Sequence, residues 1–177
     1  MGQFDFFETG FKGLYIVEPK VYKDNRGYFM ESFNSDSFKA AGVSKTFVQD
    51  NQSRSKKGVL RGLHYQKRFP QEKLVRVLSG EVFDVVVDIR EESETYKKWF
   101  GTILSSENKK QLYIPGGFAH GFLVLSDEAD FFYKCTEFYH PEDEHGIIWN
   151  DAEIGIAWPL EAGELIISEK DNLLPGF

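Results

Sequence analysis

What most constrains this chain is a succession of short β-rich runs separated by turn residues. Leu74-Val75-Arg76-Val77-Leu78, then Ser79-Gly80, then Glu81 to Arg90 reads as a hairpin, two strand-forming runs joined by a short glycine turn. Because strand side chains alternate, Phe83, Val85, Val87 and Ile89 share one face, while Val82, Asp84, Val86, Asp88 and Arg90 share the other. The first reads as a plain core face; the second mixes acid with valine. Further runs at Trp99 to Leu104, Gln111 to Ile114, Gly121 to Leu125, Asp130 to Tyr139, Gly146 to Trp149 and Glu164 to Ile167 are bounded by Gly, Pro, Asn or Asp. Many short strands at this spacing predict a mainly β chain, a sandwich or barrel. Helical signal is sparse. Ser35 to Ala41, followed by Gly42 as a stop, predicts about two helical turns. No linker, low-complexity tract or repeat divides the chain, so one domain over residues 1–177 is expected.

Composition narrows the function. With 177 residues, 41% hydrophobic and 16% aromatic, the chain can fill a core without disulfides or metal staples, and it is neither disordered nor collagen-like. Acidic residues number 28 against 21 basic, a net charge of -7, which argues against a nucleic-acid partner. Any anionic ligand must therefore meet a local cationic cluster. The single cysteine, Cys135, excludes a disulfide framework and a multi-cysteine zinc site and fits a reducing compartment. No apolar run approaches the about 18 residues of a membrane span. Met1 to Phe7 carries acid and no basic n-region, so neither signal peptide nor membrane contact is expected, and the location expected is cytoplasmic.

Of the four histidines, His64, His120, His140 and His145, the first two sit inside strand patterns. A strand histidine is commonly a hydrogen-bonded structural residue. In Leu60-Arg61-Gly62-Leu63-His64-Tyr65-Gln66, strict alternation puts Arg61 and His64 on opposite faces, and Gly62 between them permits a bulge that re-aims one of them. Gly58-x5-His64 with Pro115-x-Gly117-x-x-His120 resembles the two halves of the cupin signature, a small β-barrel. The metal-binding form has His-x-His in its first half, whereas Gln66 stands in the second position here. His64, His120 and Glu72 remain as scattered candidates, a weak ligand set, so the barrel is expected without a metal.

What remains is an acid–base constellation. His64 is a candidate general base, Lys73 a candidate cation for a developing oxyanion, and Tyr133 and Tyr139, on one face of the same strand by parity, candidate proton donors, with His120 lining the same lumen. Strand tyrosines usually serve packing, and the residues alone do not choose between these two. Nucleophilic alternatives are poor: Cys135 lies mid-strand, and there is no Gly-x-Ser-x-Gly or glycine-rich phosphate loop. Arg26, Arg61 and Lys170 are the suggestive cations. Surface cations are ordinarily just solvated, but Arg26 beside a glycine turn and aromatics suits bidentate phosphate binding.

These motifs together resemble the dTDP-4-dehydrorhamnose 3,5-epimerase family. The carrying segments are Arg26-Gly27-Tyr28-Phe29-Met30-Glu31, Gln49-Asp50-Asn51-Gln52-Ser53, Val59 to Gln66, Lys73 to Val77, Gly80 to Arg90, Ile114 to Phe122, Tyr133-Lys134-Cys135 and Gly146 to Asp151. The resemblance keeps motif order and spacing from about residue 10 onward. It implies a cupin-type jelly-roll with a few short helices, and epimerisation of C3 and C5 of dTDP-4-dehydro-6-deoxy-D-glucose in dTDP-L-rhamnose biosynthesis. The alternatives are a mono-epimerase and a non-catalytic sugar-binding cupin. His64 is implied as proton acceptor with Asp171 as its carboxylate partner, Tyr133 as proton donor, Lys73 at the keto oxygen with His120 beside it, and Tyr139 stacked on the thymine. Arg26, Glu31, Gln49, Asp50, Asn51, Arg61, Glu144 and Lys170 are implied to hold nucleotide and sugar. No redox or metal cofactor is implied. A homodimer with exchanged N-terminal strands is, so that Arg26 and Glu31 serve the partner's pocket. One departure is Lys67 to Glu72 before Lys73, where many members have a glycine immediately before the lysine.

Overall fold

The expected sandwich is present. The computed structural model, which describes residues 2–160 and 164–177, contains β1 (Phe4–Glu8), β2 (Tyr15–Pro19), β3 (Tyr22–Asp24), β4 (Gly27–Phe29), α1 (Ser35–Ala40), β5 (Gln49–Lys56), β6 (Val59–Gln66), β7 (Lys73–Ser79) and β8 (Glu81–Asp88). It continues with β9 (Trp99–Ser105), β10 (Gln111–Ile114), β11 (Phe118–Val124), β12 (Glu128–Cys135), β13 (Glu144–Gly146), β14 (Ile166–Ile167) and α2 (Glu169–Asn172). One sheet runs β1-β2-β10-β7-β12-β5; the other runs β13-β6-β11-β8-β9, with β14 added in parallel to β6. The two sheets face each other as a cupin-type jelly-roll sandwich, and β3 and β4 form a separate ribbon. Among the described residues no helix is long and apolar enough to cross a membrane.

The interior is apolar at one end. Val75 and Val77 of β7, Leu112 and Ile114 of β10 and Phe131 of β12 meet Val82 and Val86 of β8 and Phe122 and Val124 of β11. Phe122 and Phe131 stack with centroids 4.1 Å apart, and Tyr133 continues the line beyond Phe131 at 6.0 Å, where the lining turns polar. Burying each large side chain here contributes about 1.5–3 kcal/mol. The outer face of the first sheet is covered by α1, whose Phe38 packs edge-on against Phe4 and Phe6. Asn34 caps that helix, accepting from the Asp36 and Ser37 amides.

Four expectations about the strands are corrected. The run Leu74 to Arg90 is no hairpin: β7 is flanked by β10 and β12 and β8 by β11 and β9, so Ser79-Gly80 is a corner that carries the chain from one sheet to the other. Gly80 has φ +79, and a Cβ there would lie 2.1 Å from the Glu128 carbonyl oxygen, so only glycine passes. The face of β8 read as core is one, packed on the outer side of its sheet under a C-terminal layer with Ile147, Ile154 and Trp158, while the face mixing acid with valine points into the sandwich. Finally, β12 ends at Cys135, short of Tyr139, because its partner β5 starts opposite it at Gln49 and β7 at Lys73. Past that point neither neighbour offers a ladder. Likewise the run Gly146 to Trp149 contributes only Gly146 to a strand, and Glu164 to Ile167 only its last two residues.

The bulge expected at Gly62 is found. Between His120 paired with His64 and Phe122 paired with Arg61, β6 carries one residue more than β11. Gly62 has φ +115, and a Cβ there would sit 2.6 Å from both Gly121 Cα and the His120 carbonyl oxygen. The extra residue brings Arg61 and His64 to the same cavity. Gly62→Ala is expected to cost about 2–3 kcal/mol through strain and backbone crowding, and to disturb the aim of His64. A chemical-denaturation curve indistinguishable from wild type would show that the crossing does not need glycine.

Candidate active site

The polar end of the sandwich opens into a cavity of about 530 Å³. Lys73 and Tyr133 reach it from the first sheet, Arg61, His64 and His120 from the second, and Lys170 and Asp171 from α2. The cavity thus has two walls from different sheets and a rim from the C-terminal segment, which β14 pins to the edge of β6 through Ile166 and Ile167.

Asp171 is 4% exposed and is the meeting point of the rim and the second wall. Its Oδ1 lies 2.8 Å from His64 Nε2 and its Oδ2 accepts the Gly62 N–H at 3.1 Å. Ser168, the N-cap of α2, accepts from the Asp171 amide and so fixes where that carboxylate starts. Burial alone raises the Asp171 pKa, but the hydrogen bond and charge of His64, with the Gly62 amide and the Ser168 hydroxyl, hold it below the ordinary carboxylate value. With Nε2 occupied, His64 Nδ1 is the nitrogen left to the cavity, and Glu144 Oε1 stands 4.0 Å from it.

On the opposite wall, burial pushes the Tyr133 phenol up, so it keeps its proton at neutral pH. Lys73 Nζ lies 5.9 Å from the centre of the Tyr133 ring and makes no hydrogen bond or ion pair with any described residue. Burial lowers its proton affinity, with Cys135, Asp84 and Glu144 opposing. An ammonium kept free of partners inside a cavity is available to an anionic ligand or to charge that develops during a reaction. His120, 7% exposed, places Nε2 3.1 and 3.0 Å from the two oxygens of buried Asp84.

The remaining residues singled out from the sequence fall in four places. Gln49 and Asn51 on β5 lie opposite Cys135 and Tyr133 and bond each other at 3.0 Å, on the interior side of the sheet. Tyr139 and Glu144 stand at the rim: the Tyr139 hydroxyl donates to Glu144 Oε2 at 2.6 Å, and Lys170 Nζ donates to the same oxygen. Because Tyr139 follows β12, its place is set by amide side chains; its N–H donates to Gln49 Oε1, while Gln66 Nε2 donates to the Phe138 carbonyl. Asp50 is not brought to the cavity: it lies on the outer face of the first sheet, paired with Lys134 at 2.8 Å. Neither is Arg26, whose side chain is 86% exposed at the tip of the β3–β4 ribbon, bound to Asp24. Glu31 follows that ribbon, and its Oε2 is buried without a hydrogen-bond partner.

The candidate metal ligands are each committed elsewhere. Glu72 accepts from the Tyr113 hydroxyl, His64 holds Asp171, His120 holds Asp84, and Gln66 bonds three backbone groups. Among the described residues no group of three His, Cys, Asp or Glu is placed to hold a metal. Two site residues escaped sequence reasoning. Ser168 was legible as a Ser-x-x-Asp start to α2; Asp84 was visible only as an acid on a valine-rich face.

Because the Asp171 carboxyl is held below its ordinary value of 3.8, the stability it contributes is present above that pH and is lost as pH falls through the lower folded value. Asp171→Asn should therefore lower stability most above pH 4, with the gap from wild type closing as the pH drops toward 2. Denaturant midpoints measured across that range check this; a gap that is constant or widens with acid contradicts the coupling.

The sequence profile of dTDP-4-dehydrorhamnose 3,5-epimerase matches residues 8–177. A protein of that name from Methanothermobacter thermautotrophicus is 58% identical over 173 residues, which covers 97% of this chain and 94% of the relative. The crystal structure of dTDP-4-dehydrorhamnose 3,5-epimerase from Elizabethkingia anophelis NUHP1 superposes with a TM-score of 0.96 at 49% identity, covering 99% of this chain and 97% of that one. That of dTDP-6-deoxy-D-glucose-3,5-epimerase from Legionella pneumophila, in complex with dTDP-4-keto-L-rhamnose, superposes at 0.92 with 52% identity and covers 98% of both chains.

Proposed function

This chain belongs to the dTDP-4-dehydrorhamnose 3,5-epimerase family, and from that premise we infer that its cavity epimerises C3 and C5 of dTDP-4-dehydro-6-deoxy-D-glucose, giving dTDP-4-dehydro-L-rhamnose in dTDP-L-rhamnose biosynthesis. The C4 ketone of such a sugar acidifies the hydrogens on both neighbouring carbons, since either carbanion delocalises onto the keto oxygen. The chemistry needs a base on one face of the ring, an acid on the other, and positive charge at O4.

The observation that carries the reading is that the oriented base and the buried phenol belong to opposing sheets across one cavity. In this mechanism His64 Nδ1 takes the proton from carbon, and Asp171 on Nε2 orients the ring and stabilises the imidazolium. The electron pair moves to O4 beside the free Lys73 ammonium. Tyr133 then delivers its proton to the opposite face, inverting the carbon and leaving a phenolate. The imidazolium then releases its proton to solvent and the phenolate takes one up, which restores both groups before the second carbon reacts. Arg61 and Lys170 at the mouth supply local positive charge for the diphosphate of an acidic chain, while Tyr139, Gln49 and Asn51 surround the base and sugar. Incubation with substrate in D2O should place deuterium at C3 and C5; label at one carbon only identifies a mono-epimerase. His64→Ala should slow exchange by about 10²–10⁴-fold while dTDP binding persists, and unimpaired exchange would remove His64 as the base.

The active form proposed is a homodimer. Tyr22, Tyr28 and Phe29 on the β3–β4 ribbon are exposed, Phe29 to 68%, and such aromatic clusters mark association surfaces. Arg26 at the tip of that ribbon lies outside its own cavity, and Glu31 carries an unpaired buried oxygen, which suits both residues to the partner's nucleotide. Sedimentation should show a dimer, and Arg26→Ala should raise KM severalfold with kcat little changed. A stably active monomer would refute the shared pocket. The single free, buried Cys135 and the lack of an apolar spanning helix among the described residues support a cytoplasmic enzyme.

A further inference from the structure

We propose that Asp84 is a positioning residue of this site: it holds His120 in the tautomer with its proton on Nε2, so that the Nδ1 lone pair accepts a hydrogen bond from a hydroxyl of the bound sugar. The ligand's identity rests on the epimerase reading above; the geometry does not. On β8 and β11 the register sets His120 against Val86 and Phe122 against Asp84, so Asp84 and His120 are diagonal neighbours on the inward face. Asp84 is 0% exposed and both its oxygens reach His120 Nε2, at 3.1 and 3.0 Å. Burial raises the proton affinity of Asp84, with His120 and Lys73 opposing; as a carboxylate it only accepts, so the ring proton between them resides on Nε2.

Burying a carboxylate on the inward face of β8, between Val82 and Val86, is costly unless its charge is used. The charges facing the pair are Lys73 from β7 and His64 from β6, both lining the same cavity. Burial lowers the proton affinity of His120, which favours the neutral ring. Packing fixes its plane as well: His120 lies on Phe131, with centroids 6.0 Å apart and planes 28° apart. His120 Nδ1 makes no hydrogen bond with any described residue. A second histidine–aspartate pair therefore stands beside the first with a different task. In the proposed reaction His64 takes a proton from carbon, whereas His120 is held neutral as an acceptor that reads the orientation of the sugar.

Nitrogen-15 NMR of the imidazoles in the wild-type protein is expected to show His120 with Nε2 protonated and Nδ1 bare. An Nδ1–H tautomer, produced by a protonated Asp84 that donates instead, or an imidazolium, overturns the proposal whether or not the protein epimerises anything. Asp84→Leu, which removes the lock but keeps the volume, is expected to lose at least about 10-fold in kcat with dTDP affinity within about 2-fold and no loss of thermal stability. Asp84→Asn, whose Oδ1 can still accept from Nε2, should recover part of that rate. Wild-type kcat in Asp84→Leu refutes the assignment, as does a rate loss matched by a fall in melting temperature. If Asp84→Leu does not fold, the wild-type tautomer decides.

Discussion

The site depends on one buried carboxylate. Asp171 joins two parts of the chain that are distant in sequence: the C-terminal helix that carries it, and β6, where it meets the Gly62 amide at the bulge and the His64 imidazole two residues further on. Each contact supports the others. The bulge presents the amide and re-aims the histidine, the Ser168 cap sets the helix start, and the β14 pairing delivers the segment to the sheet edge. A buried, hydrogen-bonded charge of this kind is strongly destabilising to break on one side only, so the arrangement that orients the base also fastens the C-terminus to the barrel.

Around that anchor the cavity sorts its groups by wall. The second sheet carries two imidazoles, each with its own carboxylate, and the first carries a lysine and a phenol without such partners. The pairing decides behaviour: His64 shares Asp171 with a backbone amide and faces open space, while His120 shares Asp84 with nothing and is packed on Phe131. Lys73 stays uncommitted, with no hydrogen bond or ion pair to any described residue, in a chain of net charge -7. Local charge in the lumen thus runs opposite to the charge of the whole.

Much of this was legible beforehand. Period-two alternation found most of the strands, the turn residues bounded them, and the glycine between Arg61 and His64 marked the bulge that puts both in one cavity. What was not legible has physical reasons. A glycine turn between two strand-forming runs looks the same whether the runs pair or part, and only the neighbours available to β7 and β8 decide that they part. Strand-forming residues run on to Tyr139, yet the strand stops at Cys135 because its partners begin there. β5 is polar throughout, Gln-Asp-Asn-Gln-Ser-Arg-Ser-Lys, and carries no hydrophobic signal of the sheet edge it forms.

By itself the sequence determined the class of fold, the bulge, and the types of residue available for proton transfer, because these follow from local sterics, alternation and side-chain chemistry. Only the tertiary structure decided which face of β8 looks inward, that Asp50 turns away while Asn51 does not, and that His64 and Tyr133 stand on opposite walls. Those depend on which strands become neighbours and on which nitrogen of each imidazole a carboxylate reaches. Neither is encoded within the span of a single strand.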